Sequence, residues 1–144
     1  MYEYKVKEVV KVVDGDTVDI IIDLGFGLSK KERVRVAGVD TPEVRTRDDK
    51  EKALGADASQ FAKEWFAEEG EIIVRTDKDG KYGRMLGTFF RGNECYNKRL
   101  VDEGFAFAYH GGSKCTDWDI LIERRKSSKT WVDTPLSVLI SEEN

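Results

Sequence analysis

The sequence predicts an α+β fold, a five-stranded OB-type β-barrel capped by three helices. Three observations support this prediction. Apolar and polar residues alternate along most of the first 40 residues, the spacing becomes helical after residue 53, and short strand and helix patterns then follow. Five short strands, with a helix inserted before the fourth, are typical of a small Greek-key barrel.

The strand predictions rest on alternation with a period of two. In the second segment, Val18, Ile20 and Ile22 share one face, and polar residues occupy much of the other. Predicted strands cover Tyr2–Val13, Asp16–Leu24, Arg33–Val39, Glu71–Thr76 and Met85–Arg91. The residues between the second and third strands, 25–31, are predicted to be a connection, and the charged stretch Val44–Lys52 a mobile loop.

The helix predictions rest on spacing and on capping residues. From Ala53 to Glu68, an apolar stripe recurs at i, i+3, i+4 and i+7, and Gly70 closes the helix. Asn97 is predicted to cap a short helix that ends at Gly104. Thr116 or Asp117 is predicted to cap the last one.

Length and composition indicate one soluble domain over residues 1–144, with a core at about 4–131 and a C-terminal extension at 132–144. No apolar run is long enough to span a membrane, and the first ten residues lack the apolar block of a signal peptide. The sequence therefore predicts a cytoplasmic protein, with a mature secreted form as the alternative. The net charge of −4 argues against a bulk polyanion binder and leaves room for carboxylates around a cation.

Cys95, Cys115 and the single histidine, His110, do not have the spacing of a zinc site. We expect two ordinary thiols, with a disulfide as the alternative.

Two acidic segments are predicted to meet. Asp16 has the parity of the inward residues of the second strand, and Asp40 lies where the third strand ends. An antiparallel hairpin joins these strands, so the two carboxylates converge and, with a nearby backbone carbonyl, form the all-oxygen donor set that Ca²⁺ accepts. The simpler interpretation of each segment, taken alone, is a turn.

Two arginines complete a set of groups suited to phosphodiester hydrolysis. Arg35 precedes Asp40, and Arg84 ends the segment Asp79–Arg84, whose Lys81 and Tyr82 suit a phosphate and a base. The guanidinium fork matches two oxygens of a phosphate. A solvated loop is the alternative for the Asp79–Arg84 segment.

The order of these segments resembles the staphylococcal nuclease-like family. The resemblance rests on Val13–Val18, on Arg35 with Val39–Glu43, and on Lys81–Arg84, and it runs from about Val9 to Trp131. It implies calcium-dependent hydrolysis of single-stranded DNA or RNA by attack of water on phosphorus, leaving 3′-phosphate products.

The resemblance also implies individual roles. Calcium ligands would be Asp16, Asp40 and the Thr41 carbonyl; the catalytic residues would be Arg35, Glu43 as general base, and Arg84; and the substrate contacts would be Lys81, Tyr82 and Tyr109. One departure is Gly111, which stands where the family pattern has a second tyrosine.

The alternative function is a catalytically inactive OB-type domain that binds nucleic acid or serves as a scaffold. All five charged site side chains are present, which favours the enzyme. The sequence shows no obligatory protein partner, and the apolar C-terminal tail offers a surface for a second copy of the chain.

Overall fold

The computed structural model describes residues 2–77 and 85–131. These residues form eight strands and three helices, in the order β1 (Tyr2–Asp14), β2 (Thr17–Gly25), β3 (Leu28–Val36), β4 (Val39–Asp40), α1 (Asp49–Ala67), β5 (Ile73–Asp77), β6 (Met85–Arg91), β7 (Glu94–Cys95), α2 (Tyr96–Asp102), β8 (Phe107–Ala108) and α3 (Trp118–Lys126).

The main sheet closes into a barrel. Its strand order is β3-β2-β1-β5-β6-β7, and a parallel pairing of β3 with β6 joins the two sides. Five strands, β1, β2, β3, β5 and β6, thus close the barrel, and β7 pairs only with β6, so the prediction of a five-stranded OB-type barrel with three helices is confirmed. A separate pairing of β4 with β8 forms a short two-stranded sheet beside the barrel.

β1 bends around the barrel because its register with β2 shifts three times, between Val6 and Glu8, between Val9 and Lys11, and between Val12 and Asp14. Each β-bulge inserts a residue and increases the local twist. The shifts explain why the half-buried residues Val6, Val9 and Val12 recur every three positions rather than every two.

Several predicted boundaries were wrong. The connection predicted for residues 25–31 is a tight turn at 26–27, because the polar start of β3 pairs with β2, with Ser29 opposite Asp23. The strand predicted to Val39 stops at Val36, because the chain turns at Gly38 with a φ of 75°. Strand pairing thus sets the first boundary, and the turn at Gly38 sets the second.

The loop predicted for Val44–Lys52 is shorter than expected. α1 begins at Asp49 because the Asp48 carboxylate accepts hydrogen bonds from the backbone of Lys50 (2.9 Å) and Glu51 (3.1 Å). The predicted cap of α3 is confirmed at Asp117, which accepts from the backbone N–H of Ile120.

The predicted cap of α2 was wrong. Cys95, not Asn97, is the N-cap, and Asn97 points into the protein. Its side-chain oxygen accepts from Phe89 N (3.1 Å), and its amide donates to the carbonyls of Ala37 (2.9 Å) and Gly87 (3.1 Å). The Asn97 amide therefore fixes α2 and β6 to the turn that leads into β4.

The main core lies between the barrel and the helices α1 and α2. Six aromatic side chains contact one another there: Phe61, Trp65, Phe66, Phe89, Tyr96 and Phe105. Tyr96 is fully buried, and its hydroxyl donates to the Gly15 carbonyl at 2.5 Å. Core packing thus reaches the turn that carries Asp16.

A buried ion pair joins the first and last helices. The Arg125 side chain is 1% exposed, and its Nε lies 2.6 Å from Asp57 Oδ2 on α1. The same guanidinium donates to Ser128 Oγ (2.6 Å) and Thr130 Oγ1 (2.9 Å), and it lies 4.1 Å from the ring centre of Phe105. Such a pair is costly to break, because the remaining buried charge would lose its oppositely charged partner.

Both cysteines are free thiols, as expected. Across the described part of the chain, no helix is long and apolar enough to cross a membrane.

Candidate active site

Four of the predicted site residues lie together at one end of the β2–β3 hairpin. Asp16 immediately precedes β2, Arg35 lies near the end of β3, and Asp40 and Thr41 lie at and just after β4. Three other predicted site residues fall outside the described residues. They are the catalytic residue Arg84 and the substrate contacts Lys81 and Tyr82.

Asp16 is buried and hydrogen-bonded. Its carboxylate accepts from Thr17 Oγ1 at 3.1 Å and from Thr41 Oγ1 at 2.9 Å, and the backbone N–H of Thr41 points to it at 3.4 Å. These bonds tie the start of β2 to the chain that follows β4, 25 residues later. Burial opposes ionisation, but hydrogen bonding from Asp14 and the charge of Arg35 together lower the pKa of Asp16.

The Arg35 side chain is held by hydrogen bonds to two nearby backbone carbonyls. Its two terminal nitrogens donate to the carbonyls of Val36 (3.2 Å) and Val39 (3.0 Å). In that position Nη1 lies 3.3 Å from Asp16 Oδ2, and Nη2 lies 3.9 Å from Asp40 Oδ1. One guanidinium therefore faces both buried carboxylates.

Asp40 also contacts a residue that the sequence reasoning missed. Its side chain is 9% exposed, and its Oδ1 lies 3.2 Å from the ammonium nitrogen of Lys114. The pairing of β4 with β8 brings the loop that contains Lys114 to this side of the barrel. No sequence pattern indicates that two-residue pairing, and nothing in the sequence therefore singles out Lys114.

Asp14 was also missed, because Asp14-Gly15 read only as a turn. Its Oδ1 accepts from the backbone N–H of Asp16 at 3.0 Å. Burial, together with hydrogen bonding to Asp16 and repulsion from its charge, raises the pKa of Asp14 to about 7. The Asp-Gly-Asp spacing is the signal that could have indicated two interacting carboxyls.

Glu43 is exposed and lies further out than the buried pair. Its charge contributes to the raised pKa of Asp14, and its backbone N–H donates to the Glu51 carboxylate at 3.2 Å. Both Glu43 and Asp14 line a groove of about 670 Å³ between β1 and α1, whose basic lining residues are Lys11, Arg45 and Lys63. Glu43 thus borders an open surface with positive charges along it.

Gly55 of α1 determines where the chain around Glu43 lies. A Cβ at Gly55 would be 2.7 Å from the carbonyl oxygens of both Pro42 and Glu43. Only a residue without a side chain allows such close contact between helix and loop.

Tyr109 follows β8, and its backbone N–H donates to the Gly38 carbonyl at 2.8 Å. Its hydroxyl donates to the Gly112 carbonyl at 3.0 Å, and the Lys114 ammonium lies 5.8 Å from its ring centre. The Gly111-Gly112 turn therefore brings Lys114 back toward the site, in the region where the family pattern has a second tyrosine.

The residues fit a hard divalent cation. Two buried carboxylates converge around positive charge, and hard cations prefer oxygen donors. Within residues 2–77 and 85–131, no group of three acidic, histidine or cysteine side chains forms a complete metal cage. The protein would thus supply only part of the coordination sphere, and water or substrate oxygens the rest.

Comparison with known proteins gives matches over most of the chain. Residues 33–129 match the family model described as "Staphylococcal nuclease homologue". The chain is 36% identical to a thermonuclease of Staphylococcus hyicus over 103 residues, covering 70% of this chain and 57% of the relative. It is 31% identical to endonuclease YncB of Bacillus subtilis over 124 residues, covering 82% of this chain and 56% of the relative. The chain thus spans little more than half the length of these relatives.

Proposed function

Because the chain belongs to the staphylococcal nuclease family, we propose that it is a metal-dependent phosphodiesterase that hydrolyses single-stranded DNA or RNA. The observation that carries the proposal is the convergence of the buried Asp16 and Asp40 carboxylates on the single guanidinium of Arg35. Carboxylates are costly to bury unless positive charge meets them. In the proposed reaction, the two carboxylates would bind a divalent cation and the guanidinium would bind the substrate phosphate.

Asp16, Asp40 and the Thr41 carbonyl would hold the cation, with Ca²⁺ as the proposed ion. When bound, it supplies positive charge to the phosphate oxygens. The thermonuclease and endonuclease names of the relatives support a nuclease, and the oxygen donor set supports a hard cation.

Arg35 is proposed to stabilise the transition state. Negative charge builds up on the phosphate oxygens as phosphorus becomes pentacoordinate, and a preorganised donor stabilises that state more than the substrate. Arg35 is suited to this because the carbonyls of Val36 and Val39 already hold its two terminal nitrogens in place. Arg84 is proposed to act on the same phosphate at the leaving oxygen.

Glu43 is proposed as the general base. Its exposed carboxylate would accept a proton from the attacking water, while the bond from phosphorus to the 5′-oxygen breaks and leaves a 3′-phosphate. Lys81, Tyr82 and Tyr109 are proposed to contact the neighbouring nucleotides.

The alternative is an inactive OB-type domain that binds nucleic acid or serves as a scaffold. The experiment that separates the two uses a single-stranded DNA with a fluorophore and a quencher at its ends, and an RNA of equal length. Each is incubated with Ca²⁺, Mg²⁺, Mn²⁺ or a chelator. We expect cleavage that requires the metal; tight binding without cleavage under every condition would support the alternative.

The structure offers a matched pair of variants for this assay. Asp16 and Asp19 are both buried aspartates at β2 that pair with an arginine of β3, Asp16 with Arg35 and Asp19 with Arg33. Only the first lies in the proposed site. We expect Asp16→Asn to abolish metal-dependent cleavage and Asp19→Asn to retain it, with both variants folded by circular dichroism. Equal activity in the two variants would contradict the proposed function.

A further inference from the structure

Two cationic groups, the Lys114 ammonium and the Arg35 guanidinium, lie close to the same oxygen of Asp40. Lys114 Nζ lies 3.2 Å and Arg35 Nη2 lies 3.9 Å from Asp40 Oδ1. The Arg35 side chain is 18% exposed and the Lys114 side chain is 51% exposed. Arg35 is thus the inner, fixed cation, and Lys114 is the outer cation that can move away.

The backbone that leads to Lys114 is held as far as Gly112, and the Lys114 side chain itself is half exposed. β8 pairs with β4, Tyr109 donates to Gly38, and the Tyr109 hydroxyl closes the turn at Gly112. Lys114 follows this turn by two residues, and its stem of four carbons extends from it to the carboxylate. The ammonium can therefore leave Asp40 without moving the β4–β8 sheet.

From this geometry we propose that Lys114 is an internal competitor for the metal carboxylate that becomes a phosphate ligand once it is displaced, a role that rests on the proposed function. Lys114 occupies an oxygen of Asp40 that a divalent cation needs, and two such cations repel each other. Released from Asp40, the ammonium remains at the rim of the site, beside the Tyr109 ring, where a polyanionic strand would lie. A lysine binds a phosphate there as a point charge.

Removing the ammonium should therefore have opposite effects on the two ligands. Without Lys114, Asp40 is free for the metal, so the metal should bind more tightly. The substrate strand loses a phosphate contact, so nucleic acid should bind less tightly. A lysine that only stabilises the loop would not strengthen metal binding.

The first measurement is a calorimetric titration of the full chain with CaCl₂ alone, in the absence of nucleic acid. We expect Lys114→Gln to lower the Kd for Ca²⁺ by about two- to fivefold, the range for a partly exposed ion pair. Lys114→Arg, which keeps the charge, should restore the wild-type value. Lys30→Gln removes a lysine paired with Glu32 further along β3 and should leave the Kd unchanged.

The second measurement is the binding of a single-stranded oligonucleotide at saturating Ca²⁺ and several salt concentrations, in a Glu43→Gln background that prevents cleavage. Lys114→Gln should lose one phosphate contact. The slope of log K against log salt is negative, and its magnitude should fall by about 0.7 in this variant. The same loss should weaken binding at low salt.

An unchanged or raised Kd for Ca²⁺ in Lys114→Gln, while Asp16→Asn abolishes Ca²⁺ binding, would overturn the role of Lys114 and leave the proposed function intact. An unchanged salt slope would overturn the phosphate contact. A wild-type protein that binds none of Ca²⁺, Mg²⁺ and Mn²⁺ would overturn the proposed function and this role together.

Discussion

The raised pKa of Asp14 predicts a pH dependence of stability that Asp14→Asn should remove. A carboxyl whose pKa is raised on folding keeps a proton that the unfolded chain has already released. Its contribution to the free energy of unfolding is fully present below the unfolded pKa of 3.8 and is lost as the pH rises through about 7. Asparagine mimics the protonated form at every pH, because its oxygen can accept from Asp16 N and its amide can donate to the Asp16 carboxylate.

The size of the effect follows from the pKa shift. A rise from 3.8 to about 7 is about three pH units, each worth about 1.4 kcal/mol, so the upper limit is about 4 kcal/mol. Asp14 is only half-buried, and solvent screening reduces this to about 1–2 kcal/mol. We therefore expect Asp14→Asn to equal the wild type at low pH and to exceed it by about that amount at pH 8.

The assay is urea unfolding at pH 4 and pH 8 in the presence of a chelator, followed by circular dichroism. The control is Asp23→Asn, because Asp23 makes the same type of bond, to Gly25 N at 2.8 Å, in an exposed turn at the other end of the hairpin. Its pH dependence should match that of the wild type. The reasoning is refuted if Asp14→Asn keeps the wild-type pH dependence or is the less stable protein at pH 8.

Four further predictions concern single contacts. Arg125→Met should lower the free energy of unfolding by about 3–5 kcal/mol, because it leaves the Asp57 carboxylate buried without the Arg125 guanidinium. Adding Asp57→Leu should recover much of that loss. A loss below about 1 kcal/mol in urea unfolding of Arg125→Met would count against this. Gly55→Ala should destabilise the protein by about 1–3 kcal/mol, because the added Cβ would meet the carbonyl oxygens of Pro42 and Glu43. Alanine normally favours a helix over glycine, so a gain in melting temperature would disprove the close contact. Glu43→Gln should reduce kcat by orders of magnitude with an unchanged circular dichroism spectrum, and near-normal turnover would remove Glu43 from the mechanism. Arg35→Lys should lower kcat by about 10²–10³-fold with a smaller change in KM, and equal changes in both would argue against a role in the transition state.

The sequence predicted the parts of the site that follow from strand parity and hairpin geometry. Asp16 shares the parity of Val18, and an antiparallel hairpin brings it to Arg35, since Thr17 pairs with Arg35 across β2 and β3. Both facts can be derived from alternation along about 25 residues. The family resemblance added individual roles for these residues, which stay proposals.

The sequence could not indicate contacts that depend on short or distant pairings. Lys114 reaches Asp40 only because two residues of β8 pair with two residues of β4. The misplaced cap at Asn97 has a similar cause, since its side chain bonds to β6 and to the turn before β4 instead of to its own helix. Local propensity cannot distinguish an asparagine that caps a helix from one that satisfies buried backbone groups.

The ion pair between Asp57 and Arg125 also has a consequence for the order in which the domain forms. The partners are 68 residues apart in sequence, and further acceptors of the guanidinium follow at Ser128 and Thr130. During translation from the N-terminus, α1 therefore obtains its buried guanidinium only after nearly the whole domain has been synthesised. A nascent chain that stalls before residue 125 would hold the complete β2–β3 hairpin with Asp16 and Arg35, yet its α1 would still lack the ion pair with Arg125.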